Sequence, residues 1–384
     1  MAAMATTPQD HLLSSLRNTS LTSPPPILSH PTSHFTVRRT PTKGYAIFAH
    51  RPIKAGTRIL SEPPLLVIPN TEYLAEDVDK EFAKLSDTDR RKVWSLASAH
   101  GQDEGKWPKG RAHPSCGARQ KKRTTPASPS IQPSYPSSKL MPCKSPLTTS
   151  TPPTTSFPAS TNGGGAGVFE IASRFNHSCV PNAHFSWNER LGGGEGRMTV
   201  YVVKDVEEGE EITLSYCDPY YDPALRRWEL QHYGFMCDCA ACGDSGVEGS
   251  FAAGSLERRA RLKEIEEDVL SREGGLVSEE KNGDGFEVRV VERKIRLEGL
   301  LETVRLSREE GLVNPGLAET FMAIAQVCHD VGDIKTAVRA AKNGVHVDTL
   351  CMGDEHPITV AHRAVVQKLH EQMLEMERRR ELEK

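Results

Sequence analysis

The sequence predicts an α+β chain that is β-rich in its first part and all-helical in its second. Three observations carry this expectation. Short β-type runs punctuated by turn residues fill Phe35–Pro69 and Gly167–Tyr216. Amphipathic segments rich in Glu, Arg and Leu continue from about Ser255 to the end. Between them lies a tight cysteine cluster, "FMCDCAACG", where the pattern changes character.

The opening run "HFTVRR" alternates apolar and polar residues, the period of a half-buried strand. "KGYAIFAHRPIKAGTRILSEPPLLVIP" then gives further short strands, separated by Gly44, by "RPIKAG" and by Pro63-Pro64. Residues 72–100 switch to helical spacing through Leu74, Val78, Phe82, Leu85, Val93 and Leu96, with Ser86 placed to cap. All periodicity disappears over 108–165. This Ser/Thr/Pro-rich stretch has too little apolar surface to offset the entropy of ordering. Order resumes at "GVFEIAS", and "GRMTVYVVKDVEEGEEITLSY" reads as a hairpin around "VEEGEE". "RRWELQHYGF" reads as a short helix leading into the cysteines. Late in the chain, "GLAETFMAIAQVCHDVGDIKTAVRAAKNGVHVDTLC" resembles a tetratricopeptide-type helix pair, with Ala318, Ala323 and Ala337 where helices approach.

Bulk properties narrow the function. A length of 384 residues accommodates one large or two ordinary domains. A net charge of −3 gives no global basic field, and no sequence-specific nucleic-acid binding is expected. No apolar run approaches the ~18 residues that a membrane span requires. The nine cysteines are odd in number and three crowd into 237–242, which points to metal thiolates in a reducing compartment rather than a disulfide frame. The basic run 118–123 reads as a solvated disordered run, the alternative being a nuclear-import or nucleic-acid patch. Residues 1–34, poor in acids and rich in Ser, Thr and Pro, read as a disordered tail.

The chemistry concentrates in two places. Cys237, Cys239 and Cys242 supply three thiolates on one tight loop, and a closed Zn2+ site needs a fourth ligand. Cys217, Cys179, His232 and His177 are the nearby candidates. The second place is "RFNHSCVPN", 174–182, a polar segment that neither a helix nor a central strand would accept at Pro181. Aromatic residues gather after it in "SYCDPYYDP" and "HYGF".

Taken together in this order, "NHSCVPN", "GEEITLSY" and "YGFMCDCAACG" resemble the SET-domain protein lysine methyltransferases, closest to the split-SET class related to the SET-and-MYND proteins. "KGYAIFAHRPIKAGTRILSE" is similar to that family's opening strands, although Ala46 stands where the family has a second glycine and no MYND finger is present. The resemblance implies a SET fold of short sheets with a knot-like crossing. It divides the chain into 35–107 (first SET part with a helical insert), the 108–165 insertion, 166–218 (second SET part), 219–245 (post-SET zinc segment) and a helical domain over 246–384. It implies S-adenosyl-L-methionine at Gly44, Tyr45, Ala46, Asn176, His177 and Phe235, and Cys179 as the fourth zinc ligand beside Cys237, Cys239 and Cys242. Tyr216 and Tyr233 become the catalytic-site tyrosines. A protein or peptide lysine, such as one on a histone tail, is then the substrate, the C-terminal helices are a surface for protein partners, and the setting is the nucleus or cytoplasm. The other reading is a catalytically impaired SET-like scaffold working through its helices.

Overall fold

The computed structural model describes residues 34–41, 43–68, 75–96, 166–231, 233, 235–273 and 285–383. The sequence expectations for the 1–34 tail (its last residue excepted), the 108–165 insertion, the basic run 118–123 and His232 lie outside the described residues.

Two short strands come first among the described residues. β1 (Phe35–Thr40) and β2 (Gly44–Ala49) form an antiparallel hairpin that closes with Thr40 opposite Gly44. Gly44 has φ +69°, the left-handed region where a side chain is strained, so the hairpin reverses on a residue without Cβ. No described residue other than glycine has a positive φ, so Ala46 sits in ordinary strand geometry with its methyl fully buried.

β3 (Arg58–Glu62), β7 (Ala183–Asn188) and β8 (Arg197–Val202) form an antiparallel sheet with β8 in the centre. β4 (Leu66–Ile68) pairs with β5 (Ala166–Val168). Phe35, Ile47, Phe175, Val200, Val202, Ile212 and Leu214 pack into one apolar core beneath these strands.

The hairpin expected around "VEEGEE" does not form. After β8 the chain leaves the three-stranded sheet: Val206 bridges Ile53, and Ile212 N–H donates to the Ile47 carbonyl at 2.8 Å. β9 (Thr213–Leu214) then lies parallel to β6 (Asn176–His177). The physical reason is burial. Ile212 and Leu214 are fully buried beside β2 and β6, whereas folding back on β8 would displace β3 and β7, which already occupy both its edges.

The helices α1 (Ala75–Ala83) and α2 (Asp87–Ser95) occupy the expected 72–100 region. Ser86 caps α2, its hydroxyl accepting from Asp89 N–H at 3.1 Å. After α3 (Pro223–Gln231), the C-terminal part comprises α4 (Phe251–Glu273), α5 (Gly285–Glu309), α6 (Pro315–Asp330), α7 (Ile334–Met352) and α8 (Pro357–Leu382). α6 and α7 form the expected helix pair, with Ala318 and Ala337 fully buried. A Cβ on Gly344 would stand 3.1 Å from the Ala318 carbonyl, so the two backbones approach too closely there for a larger residue. Cys328 and Cys351 are core residues of this bundle. No helix among the described residues is long and apolar enough to cross a membrane.

The helical part is fastened onto the sheet. Val203 belongs to the helical core, and Tyr201 Oη donates to Glu355 Oε1 at 3.2 Å. Gly353, at φ +84°, admits the Tyr201 hydroxyl into space that a Cβ would occupy at 2.1 Å from it. His356 caps α8 with Nδ1 accepting from Ile358 N–H at 3.3 Å, leaving Nε2 3.2 Å from the Trp187 carbonyl as donor. This geometry requires the neutral ring. Burial, then the neighbouring His356, brings the His184 pKa down to about 4, and burial also lowers that of His356. Both titrate near 6.5 when unfolded. The folded state therefore binds fewer protons, so this contribution is complete above that value and is lost as pH falls towards 4. Because His184 retains some solvent contact, we expect about 1–2 kcal/mol lost between roughly pH 7 and pH 5. Urea midpoints at the two pH values measure it, and His184→Gln with His356→Gln should flatten the slope.

Candidate active site and metal centre

The site begins with a buried carboxylate. Glu62, at the end of β3, accepts from the N–H groups of Ile171 (2.8 Å) and Ala172 (2.9 Å), holding the start of a short 3-10 turn over 172–174. That turn delivers Phe175 into the core and then Asn176 and His177 into β6. The non-helical composition of 174–182 is used up in side-chain ties to the crossing strand. Asn176 Nδ2 donates to Glu211 Oε1 at 2.7 Å. Asn182 Nδ2 donates to Glu210 Oε1 (3.1 Å) and the Glu211 carbonyl (2.9 Å), while its Oδ1 accepts from Thr213 N–H at 2.8 Å. Two segments 35 residues apart are thus locked in a fixed register.

His177 joins two functional groups. Its Nδ1 accepts from Tyr216 N–H at 2.9 Å, which leaves Nε2 as the donor to Cys179 Sγ at 3.2 Å. The ring is thus tied to the Tyr216 backbone on one side and to the Cys179 thiol on the other.

Tyr216 lies in an aromatic cluster. Its ring is 4.7 Å from Tyr233, 5.3 Å from His177 and 6.2 Å, edge-on, from Phe235. Its hydroxyl donates to the Phe175 carbonyl. Burial first, then Tyr233 and Glu211, raises its pKa well above the ordinary value, so this phenol keeps its proton. Tyr45 borders the same region, with the Arg174 guanidinium 5.0 Å from its ring centre. Around Gly44, no atom lies within 4 Å of where a Cβ would stand. Of the tyrosines in "SYCDPYYDP", Tyr220 does not join the cluster. It packs against Leu262, Ile265 and Leu306 of the helical part.

The four expected thiols converge. The sulphurs of Cys179, Cys237, Cys239 and Cys242 all lie within 4.8 Å of one another. Cys179 Sγ is 3.9 Å from Cys237 Sγ and 3.5 Å from Cys242 Sγ. Zn–S bonds of about 2.3 Å in a tetrahedron separate neighbouring sulphurs by about 3.8 Å, so the set has the dimensions of a closed zinc site. Cys217 adjoins Cys179 but is not one of the four. Arg226, only 1% exposed, points Nη2 at Cys242 Sγ (3.8 Å). Burial opposes its charge, but the thiols of Cys179, Cys242 and Cys217 outweigh this and its pKa is raised. Lys43 reaches the same loop through a 3.1 Å ion pair with Asp238.

Sequence reasoning missed the residues that hold this arrangement from outside. Arg259 is 1% exposed on α4; its Nη2 donates to the Cys179 carbonyl at 2.8 Å and its Nη1 to the Pro219 carbonyl. Glu310, fully buried just after α5, accepts from Arg259 Nε (2.8 Å), Arg258 Nε (2.7 Å) and Ser255 Oγ (2.9 Å). Neither residue belongs to a motif, and a buried Arg–Glu pair between distant helices leaves no periodic signal.

Parts of the chain are similar to known proteins. The family model "SET domain" matches residues 44–217. Among curated proteins, the chain is 28% identical over 212 residues to Histone-lysine N-methyltransferase set5 of Schizosaccharomyces pombe, covering 55% of this chain and 51% of that one. It is 33% identical to Arabidopsis thaliana Histone-lysine N-methyltransferase ASHR2 (26% and 25% covered) and 32% identical to human Histone-lysine N-methyltransferase SMYD3 (27% and 24%). The chain thus spans about half the length of the first of these relatives and about a quarter of the others. Among solved structures, the Neurospora SET domain protein DIM-5, a histone lysine methyltransferase, aligns at 15% identity and a TM-score of 0.23, covering 49% of this chain and 53% of that one. The SET-domain family model thus spans β2 with Gly44, β6 with Asn176 and the Tyr216 segment that follows β9, within an α+β chain that continues into a helical C-terminal part.

Proposed function

We propose that this chain is a zinc-bearing, S-adenosyl-L-methionine-dependent protein lysine N-methyltransferase. The observation that carries this reading is the parallel crossing of Asn176–His177 with Thr213–Leu214, which brings Asn176, Tyr216, Tyr233 and Phe235 together beside four thiols. The names of the relatives support it over the scaffold reading.

The residues present fit both groups. Cys179, Cys237, Cys239 and Cys242 would hold zinc in a closed structural site. The open face of Gly44, together with Tyr45, Ala46, Asn176, the His177 backbone and Phe235, would receive the cofactor. When bound, S-adenosyl-L-methionine supplies an electrophilic methyl group on a sulfonium.

The chain's own part is to deliver a neutral amine in line with that methyl. Lysine normally holds its proton up to about 10.4. A lysine channel walled by Tyr216 and Tyr233, as the resemblance implies, would disfavour the ammonium by desolvation, so that the proton would leave for solvent before entry is complete. Tyr216 is not the base, because its buried phenol is already protonated and donating to Phe175. Its ring and fixed hydroxyl instead orient the amine, and holding reacting atoms at about 3–3.5 Å provides much of the acceleration. The substrate is a protein lysine, a histone tail being one such source, and a nuclear or cytoplasmic setting accords with it.

Calorimetry with S-adenosyl-L-methionine on the zinc-loaded chain tests the reading. We expect micromolar binding, weakened by roughly 10–100-fold in Asn176→Ala, since losing a buried hydrogen-bonding group costs about 1–3 kcal/mol. A folded, zinc-loaded wild-type protein that binds no cofactor would sink the proposal.

A further inference from the structure

We propose that Arg259, clamped by Glu310, is a positioning residue that sets the spacing between the Asn176–Cys179 loop and the Tyr216–Pro219 segment, which makes the helical part a working piece of the catalytic apparatus. This rests on the lysine methyltransferase reading.

One guanidinium spans both segments. Its Nη2 donates to the carbonyl of Cys179, three residues beyond Asn176, and its Nη1 to the carbonyl of Pro219, three residues beyond Tyr216. Its Nε is held from the other side by Glu310 Oε2 at 2.8 Å and Ser255 Oγ at 3.2 Å. The guanidinium is planar, with its donors in a rigid fork, so a fixed group with two outer donors fixes the separation of two acceptors. Glu310 is itself fully buried and, besides Arg259, accepts from Arg258 Nε and Ser255 Oγ. The reference point for the site therefore lies on α4 and at the end of α5, outside residues 44–217. Asn176 and Tyr216 must stay mutually placed for the amine to meet the methyl in line, and a misplacement of about 1 Å can cost around 10²-fold in rate.

Arg259→Lys separates positioning from simple fastening. A lysine keeps the charge beside Glu310 but is a compact point donor that cannot bridge two carbonyls. In the full chain, we expect one zinc per protein and a melting temperature within a few degrees of wild type. The kcat should fall about 10–100-fold, with less than about threefold change in KM for a lysine peptide, because orientation and not uniform binding has been lost. Arg261→Lys, on the same helix but paired with Glu264 and Glu302 at the surface, should leave both constants unchanged. An Arg259→Lys protein that is folded and turns over at the wild-type rate overturns the proposal. Should that variant not fold, Glu310→Asp draws the guanidinium back by one methylene; a similar kcat loss supports the proposal, and a wild-type kcat overturns it. A wild-type protein that neither binds cofactor nor transfers methyl defeats the methyltransferase reading instead, so the two failures are distinguishable.

Discussion

Glu310→Ala is expected to destabilise the protein by about 3–5 kcal/mol, the loss typical when one partner of a buried ion pair is removed. Arg259 and Glu310 both have fully buried side chains, and Arg258 is only 21% exposed. Removing the carboxylate leaves Arg259 charged at the junction between the site and the helices, and it takes the acceptor from the Ser255 O–H, which is itself fully buried. Surface pairs such as Lys54–Asp205 provide the contrast, with side chains 82% and 52% exposed. Lys54→Ala should cost less than about 1 kcal/mol. The pair is also a poor source of net stability. Replacing Glu310, Arg258 and Arg259 together by Leu, Met and Met should restore part of the loss, because no uncompensated charge remains while the Cys179 and Pro219 carbonyls and the Ser255 hydroxyl still lose their partners. Urea unfolding of the single and triple variants, followed by far-ultraviolet circular dichroism, decides the matter. Equal losses in both would mean that the charges themselves, and not their pairing, hold the junction.

The parts of the site legible in the sequence were those whose chemistry is local. Cys237, Cys239 and Cys242 announce a metal loop by spacing, and "NHSCVPN" announces a non-repetitive segment by its turn residues. The alternatives for the fourth ligand could not be separated by spacing alone. Cys179, Cys217 and His177 all come close in space, and the resemblance selected Cys179, the thiol that joins the other three. What the sequence obscured was long-range. "VEEGEE" has the composition of a hairpin turn, but the edges of β8 were already taken by β3 and β7, so tertiary pairing overrode the local signal. Tyr216 and Tyr220 look equivalent in "SYCDPYYDP", yet one faces Tyr233 and the other Leu262. Glu62 and Glu310 are ordinary carboxylates until folding buries them against backbone N–H groups or guanidinium groups.

Zinc removal should have the largest effect on the proposed activity. Around the cysteine loop, Ala241 is buried while Met236 is 73% exposed, so 235–243 has little apolar surface of its own to fold around. Four thiols packed within 4.8 Å without a cation would be both crowded and poorly solvated. A zinc ion held by these four thiols would supply the free energy that orders this loop; structural zinc sites in small modules contribute on the order of 10 kcal/mol. Through Cys179 that order extends to His177, and through the His177 ring to the Tyr216 backbone. Phe235, two residues before Cys237, would lose its place in the aromatic cluster at the same time. Chelation should accordingly reduce S-adenosyl-L-methionine affinity by more than about 100-fold, with full recovery on adding one equivalent of zinc. The helical signal should change little, because the α6–α8 core shares no residue with the metal loop. Cys179→Ala should imitate chelation and resist rescue by zinc. A chelated protein, verified metal-free, that binds cofactor as tightly as before would show that the loop is ordered by its hydrogen bonds and the Lys43–Asp238 and Arg226–Cys242 contacts alone.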